Sequence, residues 1–252
     1  MKQLVVILFF FIVTFISKAQ NTRLYDYNSI GWYNTFATIK VKNKISIHAE
    51  CQVRRVKFIT NWQQLLLRSA INYQVNSKTQ LRVGYGNIET FNYGKIPINN
   101  LGKNFTEHRI FTALTLNDNI NKFDVSHRFM LEHRFVGRYN DSAQTKENSF
   151  IFLNRIRYLL RCQIALTKNE NKTNNLFYIA AYNELFIGLG KNVNENVFDQ
   201  NRLCGLFGYK LNNKTKFELG YLQQVSQLGR EINNRNVFQD NQGLLFNLVF
   251  NI

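Results

Sequence analysis

Residues 122–135 alternate between apolar and polar side chains with a period of two. Phe123, Val125, His127, Phe129, Leu131, His133 and Phe135 form one set, and Asp124, Ser126, Arg128, Met130, Glu132 and Arg134 form the other. A period of two is typical of a β-strand, in which successive side chains point to opposite faces. Most other segments repeat the pattern, and none has the period of a helix that could cover the apolar faces. The pattern therefore favours a closed barrel with an apolar outer surface and a charged interior.

The alternation predicts eleven strands, near residues 30–41, 44–56, 63–75, 79–91, 106–117, 122–136, 150–166, 176–189, 200–211, 214–226 and 241–252. The connections between them alternate between short polar turns and longer loops, and the last predicted long loop covers residues 227–240. Outer-membrane barrels have this arrangement, with the short turns on the periplasmic side.

The direction of the last strand sets an expectation for the strand number. A long loop precedes strand 241–252, so this strand ends at the periplasmic side, and counting back places the start of strand 30–41 outside the cell. Bacterial single-chain barrels have even strand numbers. Residues 22–29 are therefore expected to supply a twelfth strand or to thread through the lumen, with ten strands as the alternative. The predicted fold class is all-β, an antiparallel up-and-down transmembrane β-barrel of about 12 strands.

The N-terminus has the features of an export signal. Lys2 precedes an apolar run over residues 4–16, and Ser17-Lys18-Ala19 supplies small residues at the two positions that signal peptidase reads. The apolar run is shorter than the roughly 20 residues of a membrane-spanning helix. We therefore expect a cleaved signal peptide at residues 1–19 and a single outer-membrane barrel domain at residues 20–252.

The C-terminal strand predicts a partner in biogenesis. Leu244, Phe246, Leu248, Phe250 and Ile252 share one face of this strand. A C-terminal amphipathic strand of this kind resembles the signal that the barrel-assembly machinery reads, although the chain ends in isoleucine instead of phenylalanine. Outer-membrane lipid is the second expected partner, and the sequence does not indicate an oligomeric state.

Composition excludes several classes of function. The formal net charge is +16, and +14 without Lys2 and Lys18, but the basic residues are spread singly over many strands. A nucleic-acid surface would gather them on one face, so no nucleic acid is expected. The three cysteines, Cys51, Cys162 and Cys204, cannot form a closed disulfide set, and the four histidines lack the spacing of a metal site. No cofactor is indicated.

The polar set of each strand predicts a charged network that lines the lumen, because an arginine that faces lipid at mid-bilayer costs about 2–4 kcal/mol. Its predicted members are Glu107, Arg109, Asp124, Arg128, Glu132, Arg134, Arg155, Arg157, Arg161, Glu184, Arg202 and Glu218. One interpretation is an interlocked ion-pair lining that fills the barrel. The other is an arginine-rich constriction that selects anions.

Three arginines on strand 150–166 distinguish these interpretations. Arg155, Arg157 and Arg161 share one face, with no carboxylate in their own strand. The adjacent strands supply Asp124, Glu132 and Glu184, close to one carboxylate per arginine. We therefore expect at least two of the three arginines to be paired, which favours a plugged, structural lumen over an open anion channel.

A lipid-active enzyme is an alternative interpretation from another class of function. An outer-membrane phospholipase resembles this chain in size and strand number, and that family places a histidine and a serine two apart on one strand, both facing lipid. Here Ser126 and His127 are adjacent and point to opposite faces, and phenylalanine lies two residues beyond His127 and beyond His133. No catalytic residues are therefore predicted and the chain is not expected to be an enzyme, with a lipid-active enzyme as the alternative.

Seven short motifs together are similar to one family, the domain of unknown function family 2490 (DUF2490). They are Trp62-Gln63-Gln64-Leu65-Leu66-Leu67-Arg68, Gly84-Tyr85-Gly86 with Glu89-Thr90, Glu107-His108-Arg109, Glu132-His133-Arg134-Phe135, Asn154-Arg155 with Arg157, Ala180-Ala181-Tyr182-Asn183-Glu184, and Phe198-Asp199-Gln200-Asn201-Arg202. The resemblance covers nearly the whole chain after residue 19. It implies an exported outer-membrane barrel of Gram-negative bacteria, and it implies no activity and no catalytic residues.

Overall fold

The computed structural model describes residues 23–166, 175–194 and 196–252, so the signal peptide predicted for residues 1–19 lies outside the described residues. The described residues form eleven strands: β1 (Arg23–Lys40), β2 (Ile45–Val56), β3 (Asn61–Gln74), β4 (Thr79–Thr90), β5 (Phe105–Ile120), β6 (Phe123–Arg138), β7 (Ser149–Ala165), β8 (Leu176–Leu189), β9 (Phe198–Lys210), β10 (Thr215–Ile232) and β11 (Arg235–Asn251). Each strand pairs with its sequence neighbours, and β1 pairs with β11 to close the barrel. The predicted up-and-down β-barrel is confirmed as a fold.

The predicted strand number, twelve with ten as the alternative, is wrong for the described residues. Residues 23–29 do not make a separate strand, because they are the first part of β1. An odd number of strands makes the first and the last run in the same direction, and β1 and β11 pair in parallel from Arg23↔Asn236 to Thr38↔Asn251. A parallel ladder satisfies the backbone with evenly spaced, slanted hydrogen bonds, so the sheet closes without an even count.

The predicted long loop at residues 227–240 is mostly strand. β10 and β11 continue through it as a hairpin and are joined by Asn233 and Asn234 alone. Both asparagines have positive φ, 51° and 58°. A two-residue turn with positive φ at both positions matches the twist of the flanking strands, and asparagine tolerates that conformation better than most residues.

The two ends of the barrel differ, as the loop lengths predict. The end with short turns, at residues 41–44, 75–78, 121–122 and 211–214, is called the short-turn end. The other, with loops at residues 91–104, 139–148 and 190–197, is called the long-loop end. Two shorter connections, at residues 57–60 and 233–234, also lie at the long-loop end, and the connection between β7 and β8 at the short-turn end spans ten residues.

The outer surface is apolar on every strand. Phe129 on β6 is 44% exposed and Phe207 on β9 is 50% exposed, whereas their sequence neighbours Met130 and Leu206 are buried inside. The alternation read from the sequence therefore has the expected orientation, with apolar residues outside. Among the described residues, none forms a helix long and apolar enough to cross a bilayer.

The interior is divided into an apolar part and a charged part. A buried apolar cluster lies on β1 and β8–β11, and consists of Ile30, Trp32, Tyr178, Ala180, Cys204, Leu206, Leu222 and Leu245. The sequence did not predict this cluster. A second, smaller apolar cluster on β3, β5 and β6 consists of Ala70, Phe111, Ala113 and Met130. The charged side chains of the interior lie mostly on β2 to β9, beside both clusters.

A register shift between β8 and β9 turns a polar side chain inward. Between β8 and β9 the pairing passes from Phe186↔Gln200 to Ile187↔Phe198, so Asp199 is an extra residue in its strand. An extra residue of this kind is a β-bulge, which changes the direction of the side chain. Asp199 is buried, and its carboxylate reaches the charged part of the lumen.

Candidate functional site

Glu132 is the centre of the charged part of the lumen. It is fully buried on β6, and Arg155 lies directly opposite on β7. Its carboxylate accepts hydrogen bonds from Arg155 Nη2 at 2.5 Å and from Arg157 Nη1 at 2.7 Å. Arg68 and Arg109 approach within 3.8 and 3.9 Å. One carboxylate thus balances a cluster of guanidinium groups, which is a pattern that planar, multiply donating arginine supports better than lysine.

A second carboxylate, Glu107 on β5, holds two arginines nearer the long-loop end. Arg134 donates from Nε at 2.6 Å and from Nη2 at 3.0 Å, the fork geometry of a bidentate pair. Arg109 donates to the same carboxylate from Nε and Nη2. Because Arg109 also lies near Glu132, the two carboxylates belong to one network.

Glu184 on β8 is the third carboxylate of the network. It pairs with Arg157 at 2.6 Å and with Arg128 at 2.7 Å, and Arg202 lies 3.6 Å away. Arg157 therefore bridges Glu132 and Glu184.

Asp199 is a functional candidate that the sequence reasoning missed. It pairs with Arg155 at 2.5 Å and with Arg134 at 3.5 Å. Residue 199 falls at the end of a predicted loop, and it points inward only because of the bulge, which alternation cannot reveal. We call Glu107, Arg109, Glu132, Arg134, Arg155, Arg157, Glu184, Asp199 and Arg202 the charged belt.

The other predicted network residues lie toward the short-turn end. Arg161 pairs with Glu218 at 2.7 Å, and Tyr178 donates its hydroxyl to the same carboxylate at 2.8 Å. All three arginines of the predicted row on β7 are therefore paired, as the neighbouring carboxylates suggested. Asp124 is exposed near the rim and contacts only the amides of Asn119 and Gln163. It is the one predicted member that forms no ion pair with a described residue.

Several of these ion pairs join strands that are not neighbours. Arg68–Glu132 joins β3 to β6, Arg134–Asp199 joins β6 to β9, and Arg161–Glu218 joins β7 to β10. Side chains from strands three apart can meet only across the interior of the barrel. The network therefore crosses the lumen.

Aromatic rings add cation–π contacts to the arginines of the lumen. Arg155, Arg157 and Arg202 lie with their guanidinium carbons 4.4–4.9 Å from the centre of the buried Phe186 ring. Trp32 on β1 has Arg54 at 3.9 Å and Arg202 at 4.8 Å from its ring. Cation–π contacts of desolvated arginine are worth about 2 kcal/mol, so the rings partly replace anions.

The interior carries more cations than carboxylates. Away from both rims, ten arginines face inward, namely Arg54, Arg68, Arg82, Arg109, Arg128, Arg134, Arg155, Arg157, Arg161 and Arg202. Seven carboxylates accompany them, Asp26, Glu50, Glu107, Glu132, Glu184, Asp199 and Glu218.

The loop at residues 91–104 folds inward and crosses the long-loop end. Asp26 on β1 accepts hydrogen bonds from the backbone N–H groups of Lys95 at 2.9 Å and Ile96 at 3.1 Å. Gly94, with φ of +80°, brings the backbone so close that a Cβ there would lie 2.1 Å from the Asp26 carboxylate. Tyr93 donates its hydroxyl to Gln239 on β11 at 2.8 Å. Burial raises the pKa of Tyr93, which keeps the hydroxyl protonated as a donor.

Beneath this loop lies a cavity of about 610 Å³. Exposed loop residues such as Leu101 and Asn194 line its upper part, so it opens at the long-loop end. Arg54, Arg109 and Arg202 are among its deepest lining residues. Glu132, Arg157 and Glu184 do not line it, so the cavity ends on the charged belt.

The histidines considered for catalysis are on the outer surface. His127 Nδ1 lies 2.8 Å from the Tyr158 hydroxyl, and His133 Nδ1 lies 2.6 Å from Asn154 Oδ1. Neither hydrogen bond supplies a serine or threonine nucleophile. In the described part of the chain, no three His, Cys, Asp or Glu residues converge in a way that could hold a metal ion.

We expect Glu132→Gln to lower the free energy of unfolding by about 3–5 kcal/mol, since it leaves buried guanidinium groups without their shared anion. The measurement is the midpoint of urea unfolding in lipid vesicles. Asp124→Asn, the same chemical change on the same strand at an unpaired site, is the matched control and should shift stability by less than about 0.5 kcal/mol. Equal shifts for the two variants would contradict the central position of Glu132.

No curated protein matches this chain. Among solved structures, the chain is similar to one titled "NanC porin structure in rhombohedral crystal form", with a TM-score of 0.47 and 12% identity, over 88% of this chain and 98% of that one.

The family comparison is more informative. The family described as "Protein of unknown function (DUF2490)" matches residues 30–235, which is most of the chain. This match confirms the resemblance that the short motifs indicated, and the chain therefore belongs to the DUF2490 family.

Proposed function

We propose that the protein is an outer-membrane β-barrel whose lumen is closed at mid-height by the charged belt, so that it serves as a structural component of the envelope instead of an open pore. The observation that carries the proposal is the cavity at the long-loop end, which ends on the buried side chains of Arg109 and Arg155.

The outer surface supports placement in a bilayer. Every strand exposes large apolar side chains, whereas soluble proteins rarely expose continuous apolar patches of more than a few hundred Å². The strands are 12–18 residues long, and a tilted membrane-spanning strand needs about 9–11. A signal peptide at residues 1–19, recognition by the barrel-assembly machinery and contact with outer-membrane lipid belong to the same proposal.

The loop lengths support an orientation. Outer-membrane barrels have short turns in the periplasm and longer loops outside. In this orientation the cavity faces the exterior, and Asp124 and Arg161 lie toward the periplasm.

The burial of the belt supports closure. Glu132 is 0% exposed, and Arg157 and Glu184 are 3% and 2% exposed. Each ion pair that crosses the lumen fills space that water would occupy in a conducting pore. Opening a passage would require separating buried ion pairs, each of which leaves an uncompensated charge that costs several kcal/mol.

A small anion-preferring channel is the second candidate, and the excess of inward-facing arginines favours it. Positive linings select anions, and a modest movement of the belt would leave such a lining. A lipid-active enzyme is the third candidate. We infer that the protein is not an enzyme, because the outward-facing His127 and His133 bond to Tyr158 and Asn154 and to no serine or threonine hydroxyl.

The facing of β6 gives a test of membrane placement. Phe129→Arg should lower the yield of folded barrel in lipid vesicles, because a charge in lipid at mid-bilayer costs about 2–4 kcal/mol. Arg128→Ala, one residue away on the inner face, should still fold, since Glu184 keeps Arg157 as a partner at 2.6 Å. The readout is the faster migration of unheated, folded barrel on a detergent gel. The reverse result would mean that the register is shifted by one residue.

Conductance in a planar bilayer tests closure. We expect no discrete current steps from the purified protein, because paired side chains fill the lumen. The double variant Glu132→Ala/Arg157→Ala removes one charge of each sign, so it widens the waist without changing the net charge. It should produce current steps with a preference for chloride over potassium. Current steps of the same size from the unmodified protein would promote the anion channel to first place.

A further inference from the structure

We propose that the cavity at the long-loop end is a binding site for a small anion that carries a carboxylate or phosphate group, with Arg54 and Arg202 as its floor. The proposal concerns ligand binding from the open end of the barrel. It therefore holds whether or not the waist conducts.

Arg54 is the strongest indication of an anion. It is 3% exposed, yet its guanidinium forms no ion pair with any described residue. Its hydrogen bonds go to neutral amides, Gln52 Oε1 at 2.5 Å and Gln64 Oε1 at 2.6 Å, and its flat face lies 3.9 Å from the centre of the Trp32 ring. A buried cation without an anion is costly, since neutral dipoles return only part of the lost hydration. An anion bound beside the Arg54 guanidinium group would supply the missing negative charge.

Arg202, on β9, is the second arginine whose guanidinium group contacts the Trp32 ring. Among the described residues, its one carboxylate partner is Glu184 at 3.6 Å, which also pairs with Arg128 and Arg157 at shorter distances. The amide of Gln200, turned with its oxygen toward Arg202, accepts from Nη2 at 2.9 Å. Arg202 and Arg54 therefore lie against one ring, with one weak carboxylate contact between them.

The charge of the whole lining agrees with an anionic ligand. Seven arginines line the cavity, Arg54, Arg109, Arg134, Arg138, Arg155, Arg202 and Arg230, against two carboxylates, Glu107 and Asp199. Both carboxylates are occupied by belt arginines. The lining thus carries an excess of positive charge, and a cavity with low-dielectric walls concentrates the attraction of that charge for an anion.

The size and the remaining polar groups narrow the ligand class. A cavity of about 610 Å³ lies within the roughly 300–1,000 Å³ of small-molecule sites. Amide side chains such as Gln64, Gln200 and Gln224 surround the arginines and can donate to or accept from hydroxyl groups of an organic anion. A polymer such as nucleic acid does not fit, because the loop at residues 91–104 crosses the opening.

Trp32 provides a specific signal for binding. The chain has two tryptophans, and Trp62 faces outward with Arg55 over its ring. In a Trp62→Phe variant the fluorescence comes from Trp32, which lies directly against both floor arginines. An anion that draws Arg54 or Arg202 away from the ring changes that emission.

The experiment titrates the Trp62→Phe protein in detergent with citrate and with inorganic phosphate at constant ionic strength, and with glucose as the neutral control. We expect a saturable change in Trp32 emission with at least one of the two anions and none with glucose. Saturation with phosphate alone identifies a site for a compact anion, and saturation with citrate alone identifies a site for an organic acid. A linear or absent response to both anions would overturn the proposal.

Paired variants locate the site. Arg54→Gln should weaken binding by about tenfold or more, the factor expected for one lost charge-assisted hydrogen bond. Arg55→Gln removes the same charge one residue away on the outer face, where Arg55 donates to Ile59 O, and it should leave affinity unchanged. If Arg54→Gln gave no folded protein, Arg202→Gln would replace it. Equal affinity in the inner and outer variants would overturn the proposal even if an anion binds elsewhere.

Discussion

A guanidinium group inside a barrel has lost its water and must find an anion, an acceptor or an aromatic face. Ten inward arginines impose this requirement on the fold, and Glu132 meets the largest share of it, with Arg155 and Arg157 bonded and Arg68 and Arg109 close by. Charge pairing of this density costs more in desolvation than an apolar core of equal volume. The ion pairs contribute geometric specificity instead. Guanidinium groups and carboxylates pair in fixed orientations, so they determine which strands approach one another across the lumen.

The division of the interior explains why the belt is continuous. One apolar cluster, which contains Leu222 and Leu245, lies on β1 and β8–β11, and a smaller one lies on β3, β5 and β6, so the charged side chains meet in the space that the two clusters leave. Trp32 belongs to the apolar cluster and contacts Arg54 and Arg202 at the same time. It is the point at which the two parts of the interior join, and the anion site proposed above lies directly over it.

Much of this arrangement could be predicted because it follows from a period of two. The alternation over residues 122–135 assigns Glu132 and Arg128 to the inside and Phe129 to the outside, and the structure has this orientation. What alternation cannot predict is a change of register. A β-bulge directs Asp199 inward, so the charged network predicted from the sequence omitted this carboxylate.

The local alternation of apolar and polar residues also could not predict how distant segments of the chain pair. The prediction of an even strand number was wrong because an odd number of strands can close through a parallel pair, β1 with β11, and a local pattern does not show how the two end strands pair. Loop 227–240 proved to be a hairpin because Asn233 and Asn234 adopt positive φ, a conformation that asparagine permits but does not require. Asp124 has the correct alternation for the lumen, yet it lies so near the rim that water and amides satisfy it.

The closed waist is the central claim, and labelling from one side tests it most directly. In a background with Cys51, Cys162 and Cys204 replaced by alanine, Ser226→Cys places a thiol in the cavity, and Ser126→Cys places one inside β6 beyond the belt. A membrane-impermeant maleimide added to intact cells should label position 226 and leave position 126 unlabelled, and permeabilised cells should show label at both. Rapid labelling of position 126 in intact cells would mean that the lumen is open through the belt.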